Sequence, residues 1–491
     1  MSMIRVEDLT FSYPSSGEAV LEHADFQIDT DWRLGFIGRN GRGKTTFLNL
    51  LQGKYEYQGK ILSSVEFDYF PYEIKEPGRW TKEVAEEICP LAEEWEIRKE
   101  LFQMNVEEDV LWRPFETLSN GEQTKVLLAC LFLNEGHFLL IDEPTNHLDA
   151  EARMQVAEYL KRKKGFILVS HDRRFLDICV DHVLAFNRAG IEVQSGNFSS
   201  WWENFQRQQN FEWNQNQKLQ KDIKRLKQSA ERKAQWSDRV EASKKGAADK
   251  GYVGHKSAKM MKRAKHIEAR QNAALEEKSL LLKNLETAED IKVLPLSYHS
   301  KTLASLSQVS AVYEGRCISF PVTCSIYSGE RLCLRGRNGS GKSSILKLLA
   351  GQSLEHGGTV SVGSGLIVSY VPQDVSWLKG TFVAFEEREG VDRSLFRAML
   401  RKLDFDRSQF DKRLEDFSMG QKKKVLIAKS LCEKAHLYVW DEPLNYIDVY
   451  SRMQIEDLIL EHRPAMVLVE HDQAFIEAIG ARVIEVERRS G

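Results

Sequence analysis

Hydrophobic positions near both ends of the chain form short runs separated by polar stretches. Examples are LGFIG (34–38) and FLLI (138–141) in the first part of the chain, and LCLRG (332–336) and LYVW (437–440) in the last part. Apolar runs of this length, bounded by loops and followed by helical stretches, are typical of the buried strands of an α/β fold. The ends of the chain are therefore predicted to be α/β domains.

Between residues 199 and 295 the pattern changes to one that is typical of paired helices. Apolar positions recur at alternating intervals of three and four residues from Leu219 to Ala230, and again from Met260 to Leu285 with two polar interruptions. This period of about 3.5 residues predicts helices packed side by side. Glycines at 246, 251 and 254 interrupt it, so we expect an antiparallel helical hairpin with its tip near 243–257. A first helix of about 40 residues would be about 60 Å long.

The two outer parts of the chain are copies of each other. GRNGRGKTTFLNLLQG (38–53) recurs 298 residues later as GRNGSGKSSILKLLAG (336–351), and three further passages match in the same order and at nearly the same spacing. Those pairs are LSNGEQTKVLLACLF (118–132) with FSMGQKKKVLIAKSL (417–431), FLLIDEPTNHLD (138–149) with LYVWDEPLNYID (437–448), and LVSHDRRFLD (168–177) with LVEHDQAFIE (468–477). We therefore predict a first repeat at 1–198, a linker at 199–299 and a second repeat at 300–491.

Each repeat carries one G-x-x-x-x-G-K-[ST] motif, at 38–45 and 336–343, between an apolar run and a helical stretch. This context predicts a loop that holds nucleotide phosphates on its backbone N–H groups, with the lysine neutralising phosphate charge and the hydroxyl residue binding Mg²⁺. The predicted ATP-binding residues are Gly38, Asn40, Gly41, Gly43, Lys44, Thr45 and Thr46, and Gly336, Asn338, Gly339, Gly341, Lys342, Ser343 and Ser344. Thr45 and Ser343 are also predicted to bind Mg²⁺.

Acidic pairs follow two of the apolar runs. Asp142-Glu143 and Asp441-Glu442 stand where a buried strand would end, which suits a Mg²⁺-binding Asp followed by a Glu that activates water. His171 and His471 follow a second apolar run and are predicted to contact the γ-phosphate. A lone acidic pair or histidine is more often a surface or capping residue, but the repeated order of the motifs favours two ATP-hydrolysing sites.

A further motif, Ser-x-Gly-[Glu/Gln], opens helical stretches at 119–122 and 418–421. Together these motifs resemble the ATP-binding cassette (ABC) family across both repeats. The resemblance implies a head-to-tail pair of domains in which Lys44, Asp142, Glu143 and His171 face Ser418 and Gly420. The site of Lys342, Asp441, Glu442 and His471 would face Ser119 and Gly121. It also implies nucleotide contacts from Glu122 and Gln421, adenine stacking by Tyr13 and Tyr313, and contact of Gln373 with both nucleotide and Mg²⁺.

Two departures from the family pattern affect the expected activity. Gln373 in SYVPQD fits the family's Mg²⁺-contacting glutamine, but the first repeat reads DYFPYE with Tyr72 at that place. The signature loops read SNG and SMG in place of SGG. The two sites are therefore expected to bind ATP but to differ in hydrolysis rate.

The combination of two cassettes and a charged helical linker resembles the ABC-F family of ribosome-acting ATPases. VLWRPFETLSNGE (110–122), MKRAKHIEAR (261–270) and WDEPLNYID (440–448) resemble its Lsa-type antibiotic-resistance subgroup. The resemblance implies a cytoplasmic monomer that binds the 70S ribosome at its exit site and contacts large-subunit rRNA and the peptidyl-site tRNA. Its hairpin would reach toward the peptidyl-transferase centre and dislodge lincosamides, pleuromutilins or streptogramin A.

The charge distribution supports a nucleic-acid partner. The chain has 69 basic and 72 acidic residues, but Lys218–Arg270 has 17 basic and six acidic ones, a local excess of +11 that leaves −14 elsewhere. Charged helical faces are often only solvated, but they usually mix signs, whereas a one-signed excess favours phosphate neutralisation. The candidate RNA-binding residues are Lys244, Lys245, Lys250, Tyr252, His255, Lys256, Lys259, Lys262, Arg263 and Lys265.

The cysteine pattern and the lack of long apolar segments argue against a secreted or membrane-spanning protein. The seven cysteines form no C-x-x-C pair and are predicted to be reduced, buried thiols, and neither a secretion signal nor an apolar run of about 18 residues is present. A housekeeping ABC-F translation factor fits the same motifs and stays open as the alternative function. A drug-exporter ATPase is disfavoured because it leaves the basic linker without a role. DNA-repair or chromosome ATPases are disfavoured because they insert their coiled coil within a cassette, not between two.

Overall fold

A computed structural model describes most of both repeats. The described residues are 2–13, 19–146, 148–187, 190–211, 214–215, 217–218, 221, 295–313, 315–405 and 407–488. The predicted hairpin tip and all the candidate RNA-binding residues lie outside the described residues. The chain forms two compact units, one of Met1–Trp201 with Glu289–Gly491 and the other of Trp202–Ala288. Both repeats belong to the first unit, and the predicted domain boundaries at 198 and 299 stay predictions.

The first repeat combines a mainly parallel sheet, a small antiparallel sheet and six α-helices in its described part. Its strands are β1 (Met3–Ser12), β2 (Ala19–Asp29), β3 (Arg33–Gly38), β4 (Gln58–Leu62), β5 (Glu66–Phe70), β6 (His137–Asp142), β7 (Phe166–Val169), β8 (His182–Asn187) and β9 (Gly190–Ser195). Its helices are α1 (Lys44–Leu51), α2 (Thr81–Ile88), α3 (Glu94–Gln103), α4 (Asn120–Leu131), α5 (Ala150–Lys161) and α6 (Arg173–Cys179). A further helix, α7 (198–211), begins at the predicted end of this repeat. The large sheet has the order β5-β6-β7-β3-β8-β9, and the small sheet has the order β2-β1-β4.

The second repeat has the same plan. Its strands are β10 (Thr302–Tyr313), β11 (Arg316–Cys317), β12 (Val322–Tyr327), β13 (Arg331–Arg335), β14 (His356–Val362), β15 (Val368–Val371), β16 (Leu437–Asp441), β17 (Met466–Val469) and β18 (Arg482–Glu485). Its helices are α8 (Lys342–Leu349), α9 (Phe382–Glu389), α10 (Arg393–Lys402), α11 (Met419–Cys432), α12 (Val449–His462) and α13 (Gln473–Ala478). The parallel sheet has the order β15-β16-β17-β13-β18, and β10 pairs with β11, β12 and β14 in the antiparallel sheet.

The predicted α/β repeat is confirmed, and its sheet order explains why the motifs converge. The apolar runs form the central parallel strands, and every residue of β7 and β16 is buried. In the first repeat, part of this sheet shares a core with the small antiparallel sheet and α1. Parallel neighbours β6-β7-β3 and β16-β17-β13 bring the phosphate loop, the acidic pair and the histidine to one sheet edge. Ligands of open α/β sheets bind at this carboxyl edge of the strands.

The structure shows how far the cysteines are buried and whether any described helix could span a membrane. Five of the seven cysteines are buried free thiols and Cys432 is half-buried, but Cys317 is exposed, so the prediction of buried thiols is wrong there. Cys317 belongs to the two-residue edge strand β11, which packs only on β10. Across the described residues, none of the helices has the length and apolar character that crossing a membrane requires.

Ion pairs join the two repeats within the first unit. The guanidinium of Arg173 in α6 contacts both carboxylate oxygens of Glu456 in α12, with Nη1 3.2 Å from Oε2. Their side chains are 12% and 7% exposed, so the pair is shielded from water. By the repeat alignment, the counterparts of these residues are Gln473 and Ala157, which cannot form an ion pair. The buried ion pair therefore stands on one side of the pseudo-symmetric junction only.

Glu456→Gln should destabilise the junction, because it leaves the guanidinium of Arg173 buried without its ion-pair partner. We expect a loss of about 3 kcal/mol in the free energy of unfolding, against less than about 1 kcal/mol for Glu151→Gln. Glu151 is a matched control because it pairs with Arg337 across the same junction in an exposed setting. Urea unfolding followed by fluorescence measures both. Equal stability of the two variants would contradict the assignment, and Arg173→Gln should recover part of the loss in the Glu456→Gln background.

Candidate nucleotide-binding sites

Both phosphate loops end in a glycine that caps the following helix. Gly43 (φ +87°) precedes α1 and Gly341 (φ +86°) precedes α8, and neither helix has a side-chain cap, so the first N–H groups stay available for an anion. A Cβ on Gly43 would lie 2.5 Å from Val20 Cγ1, and one on Gly341 would lie 2.6 Å from Ala311 Cβ. The backbone conformation and the close packing both require glycine here.

The two loop lysines are buried against their own loops. Lys44 Nζ donates to Gly38 O at 2.6 Å and to Arg39 O at 3.2 Å, and Lys342 Nζ donates to Gly336 O at 2.8 Å. Burial lowers the pKa of both ammonium groups. A phosphate bound in the loop would supply the negative charge that such a buried cation favours.

The hydroxyl and carboxylate groups predicted to bind Mg²⁺ lie together in both sites. Thr45 Oγ1 donates to Asp142 Oδ2 at 3.0 Å, and Ser343 Oγ donates to Asp441 Oδ1 at 3.1 Å. Asp441 Oδ2 is buried without a hydrogen-bond partner, and burial raises the pKa of Asp441 to about 6. Such oxygen donors suit Mg²⁺, which takes one or two protein ligands and completes its shell with phosphates and water. The residues therefore fit the ion, which would neutralise phosphate charge when bound with ATP.

The two predicted water-activating glutamates have unusual backbone conformations. Glu143 has φ +51° and Glu442 has φ +45°, in the left-handed region that non-glycine residues rarely adopt. Their N–H groups donate to Val169 O at 2.9 Å and to Val469 O at 3.0 Å, which anchors each glutamate to the neighbouring strand. Strained positions of this kind concentrate at functional sites.

Each predicted histidine lies beside the glutamate of its own repeat. His171 Nε2 is 3.2 Å from Glu143 Oε1, and His471 Nε2 is 3.8 Å from Glu442 Oε1. Burial, followed by the charge of Lys44, holds the pKa of His171 well below its usual range. The first site therefore contains a neutral imidazole next to its glutamate.

The glutamates differ in their other partners. Glu442 Oε2 accepts hydrogen bonds from Gln373 Nε2 at 2.8 Å and from Asn445 Nδ2 at 2.7 Å. Tyr72, which replaces the glutamine in the first repeat, instead donates to Glu87 Oε1 at 3.5 Å. The structure thus places Gln373 at the carboxylate of Glu442 and Tyr72 at an acidic residue other than Glu143.

The pKa values of the two glutamates shift in opposite directions. Burial, followed by the charge of Asp142, raises the pKa of Glu143 to about 8. Burial also acts on Glu442, but the nearby His471, the hydrogen bond from the Gln373 amide and the charge of Lys342 outweigh it and lower the pKa of Glu442 to about 2. The ionised carboxylate is therefore better stabilised in the second site.

The signature motifs form the N-termini of α4 and α11. The hydroxyls of Ser119 and Ser418 accept from the backbone N–H of Glu122 and Gln421, whose side chains accept from the serine N–H groups in return. This reciprocal capping fixes the first turn of each helix. The capping pairs Ser119–Glu122 and Ser418–Gln421 therefore fix the conformation of the signature motifs without a nucleotide.

The first phosphate loop packs against the second repeat. Asn40 Nδ2 donates to Tyr446 O at 2.7 Å, across the junction between the repeats. A Cβ added to Gly420 would lie 2.2 Å from Tyr446 O and 2.9 Å from Asn40 Nδ2. The first phosphate loop and the signature motif of the second repeat therefore lie next to each other at Asn40 and Gly420, while the predicted pairing of Lys44 and Glu143 with Ser418 stays a prediction. The second loop reaches the first repeat through Arg337, whose Nη2 is 3.0 Å from Glu151 Oε2.

The two predicted adenine-stacking tyrosines have different surroundings. Tyr13 OH lies 2.8 Å from Thr46 Oγ1, and its ring packs edge-on against Phe11 and Tyr55 at centroid distances of 5.0 and 5.7 Å. Tyr313 is 68% exposed at the end of β10. Tyr13 thus supports the phosphate loop from an aromatic cluster, whereas Tyr313 presents an open ring face.

A buried ion pair between Lys424 and Asp448 lies beside the first site and is not evident from the sequence. Lys424 Nζ is 2.8 Å from Asp448 Oδ2 and donates to Leu403 O at 3.1 Å, with both charged side chains almost fully buried. The charges of Asp448 and Lys424 act on Lys44 of the first repeat. Both residues stand in repeated motifs, but a lysine inside an apolar helix gives no sign in the sequence that it is paired.

Comparisons with known proteins agree with this geometry. The family model described as "ABC transporter" matches residues 21–146 and 320–445. The ribosome protection protein VmlR of Bacillus subtilis is 26% identical over 487 residues, covering 95% of this chain and 84% of that protein. The ATP-binding protein Uup of Buchnera aphidicola is also 26% identical, covering 97% of this chain and 79% of that protein.

Solved structures share the fold. The archaeal ribosome recycling factor aABCE1, in its complex with the stalk protein aP1, has a TM-score of 0.64 and 19% identity, with 98% of this chain and 89% of that chain covered. The RNase-L inhibitor also has a TM-score of 0.64 and 19% identity, with 98% and 90% covered. At this identity the likeness extends to the tandem fold alone.

Gly420→Ala should disturb the junction, whereas Gly121→Ala should be tolerated. A Cβ at Gly420 would overlap a backbone carbonyl of the same repeat, but one at Gly121 would lie 3.8 Å from Leu148 Cδ2, an ordinary contact distance. Overpacking costs roughly 1–3 kcal/mol, so Gly420→Ala should lower the melting temperature by several degrees and weaken ATP binding. Differential scanning fluorimetry and titration with a fluorescent ATP analogue measure both effects. Equal effects of the two substitutions would contradict the described packing.

The second site should be the faster ATPase, because Gln373 and Asn445 hold its glutamate. Glu442→Gln should remove most steady-state hydrolysis, whereas Glu143→Gln should retain a large share, given that a positioned base contributes roughly 10²–10⁴-fold. Tyr72→Gln should raise the residual rate of the Glu442→Gln protein, and Tyr72→Phe is the control for loss of the hydroxyl alone. Phosphate release measures each rate. Equal losses from the two glutamate substitutions would show that Gln373 has no such role.

Proposed function

Since this chain belongs to the ABC transporter family of ATP-binding proteins and is an ATPase, we propose that it is a ribosome-binding ABC-F ATPase that protects translation from antibiotics. In each site the phosphate loop binds ATP, while Asp142 or Asp441 binds the accompanying Mg²⁺. Glu143 and Glu442 accept a proton from the attacking water, and the adjacent histidines orient the γ-phosphate. The opposite signature motif closes each site, so that ATP binding draws the repeats together.

The ribosome is the proposed partner because of the linker charge. The local excess of +11 over Lys218–Arg270 is the observation that carries this assignment, since neutralisation of RNA phosphates is the direct use of such a segment. The name of the relative VmlR, a ribosome protection protein covered over 84% of its length, supports the same partner. Large-subunit rRNA and the peptidyl-site tRNA are the proposed contacts.

The proposed mechanism assigns the hairpin tip to drug removal. Gly246, Gly251 and Gly254 give a pliable backbone, and Tyr252 and His255 offer stacking surfaces that suit irregular RNA. ATP-bound repeats place the hairpin in the ribosomal exit site, the tip displaces a lincosamide, pleuromutilin or streptogramin A, and hydrolysis releases the protein. The action takes place on the ribosome and requires no membrane partner.

A housekeeping translation factor is the second candidate. It is favoured by relatives of similar identity whose names mention no protection, such as the ATP-binding protein Uup at 26% and the putative ATP-binding protein YdiF of Bacillus subtilis at 25%. Such a factor would act on tRNA or elongation in the absence of drug. A growth defect of a deletion strain without antibiotic would favour this candidate over drug protection.

Purified protein should restore in vitro translation that a lincosamide or a pleuromutilin has blocked, at constant drug concentration. A variant with 246–254 shortened to a minimal turn should fail to do so while keeping its ATPase activity, because the nucleotide-binding residues are distant in sequence. Luciferase synthesis and phosphate release are the two measurements. Absence of rescue by the intact protein would refute the proposed function. Rescue by the shortened variant would refute the role of the tip and leave the ribosome assignment standing.

A further inference from the structure

The first repeat carries an exposed apolar surface on α3 and on the segments that flank this helix. Leu91 is 97% and Phe102 is 80% exposed, the two highest values among the large apolar side chains of the described residues. Trp95 and Trp112 are 57% and 53% exposed. We call these four residues the aromatic face. Clustered apolar groups in contact with water mark interaction sites more often than scattered ones do.

Contacts join the two elements that carry three of the four residues, and Leu91 lies in the loop directly before α3. Trp95 and Phe102 are seven residues apart on α3 and so share a helix face, with Arg98 between them. The guanidinium of Arg98 bridges Glu94 and Glu108, with Nη1 2.7 Å from Glu108 Oε2. These bridges connect α3 to the 3₁₀ turn Glu108–Trp112, which presents the last aromatic ring.

The second repeat shows that the fold does not require this surface. The same tether fixes the alignment in both repeats, because Lys125 Nζ donates to Met104 O at 2.9 Å and Lys424 Nζ donates to Leu403 O at 3.1 Å. In that register, Ser394 and Arg401 of α10 stand where α3 has its two exposed aromatic residues.

The loop before this helix also differs between the repeats. Residues 89–93 join α2 to α3, whereas the shorter segment 390–392 joins α9 to α10. Leu91 lies in the longer loop and has no counterpart. The buried positions Ile97 and Leu101 keep apolar counterparts in Phe396 and Leu400, so only the outer surface has diverged.

The surroundings of the aromatic face are acidic. Residues 73–116 contain 13 acidic and six basic side chains, a net charge of −7, whereas the corresponding residues 374–415 contain nine of each. Such a field repels nucleic-acid phosphates and attracts cations. The aromatic face therefore differs in kind from the basic linker of the same chain.

A lysine of the protein shows how this surface holds a cation. Lys82 Nζ lies 5.0 Å from the centroid of the Trp112 ring and 2.6 Å from Glu94 Oε2. The ring face and the carboxylate attract the same ammonium group. Other lysine or arginine side chains could bind the remaining rings and carboxylates in the same way, with their aliphatic stems on Leu91 and Phe102.

We propose that the aromatic face binds a lysine- and arginine-rich segment of another protein. The chemistry that recognises it is an aromatic platform within an acidic field. If the proposed ribosomal function holds, the partner is a basic protein of the ribosome, and this identification alone rests on that function. The aromatic face would then orient the first repeat on protein, while the linker contacts RNA.

The first test uses the full chain and no ribosome. The probe is a fluorescein-labelled 12-residue peptide of alternating lysine, leucine and arginine, and a 12-nucleotide RNA is the comparison. Trp95→Ser with Phe102→Ser should weaken peptide binding at least tenfold without changing net charge. Val383→Ser with Leu460→Ser is the control, because these side chains are exposed to 42% and 44% in the second repeat, and it should bind as wild type does. Unchanged affinity in the aromatic variant, or a preference of this face for RNA, would overturn the proposal.

The second test identifies the partner on the ribosome. A photo-crosslinking phenylalanine at position 102 should give an RNase-resistant crosslink to a basic ribosomal protein when the chain is bound to 70S particles in ATP. A crosslink to rRNA, or an intramolecular one to the basic linker, would overturn the proposal. If the protein binds the peptide but does not co-sediment with ribosomes, the aromatic face is a binding surface and the proposed ribosomal function is wrong. Failure of one proposal is therefore distinguishable from failure of the other.

Discussion

The nucleotide sites depend on the neutralisation of buried charge across the junction between the repeats. Lys44 and His171 of the first repeat are buried and Glu143 beside them is largely shielded, and isolated buried charges are strongly unfavourable. Their electrostatic partners include Asp448 and Arg452 of the second repeat. Neither repeat alone provides this set of charges. A protein built in this way is expected to respond to a bound polyanion by rearranging the junction, since ATP and Mg²⁺ change the same balance.

The same junction explains why two copies of one fold are not interchangeable. The buried Arg173–Glu456 pair has no counterpart, and the second glutamate alone has a glutamine donor. Side chains that differ between the copies thus lie at the junction and at the carboxyl edge of the parallel sheet, while the parallel strands that both repeats share keep one order. Duplication conserves the scaffold because the parallel strands are buried on both faces, and it leaves polar edges free to diverge.

Much of the fold and the site could be predicted from the sequence. The apolar runs, the two loop motifs and the resemblance to ABC-F proteins are confirmed, because short-range patterns determine strands and phosphate loops. The contact of Asn40 with Tyr446 could not be predicted, since it joins residues 406 positions apart through a backbone carbonyl. The left-handed conformation of Glu143 also leaves no mark in the sequence. The exposure of Trp95 could not be predicted either, because an aromatic residue on a helix is usually buried in the core.

The most direct test of the central claim is ATP-dependent binding of the catalytically blocked protein to ribosomes. Glu143→Gln with Glu442→Gln retains the phosphate loops and the junction but lacks both proton acceptors, so ATP should hold the repeats together. We predict that this double variant co-sediments with 70S ribosomes far more completely in ATP than in ADP, and far more than wild type does. Combining it with Lys44→Ala and Lys342→Ala should abolish the difference. Equal co-sedimentation of the double variant in ATP and in ADP would contradict the claim that nucleotide at the shared junction controls binding.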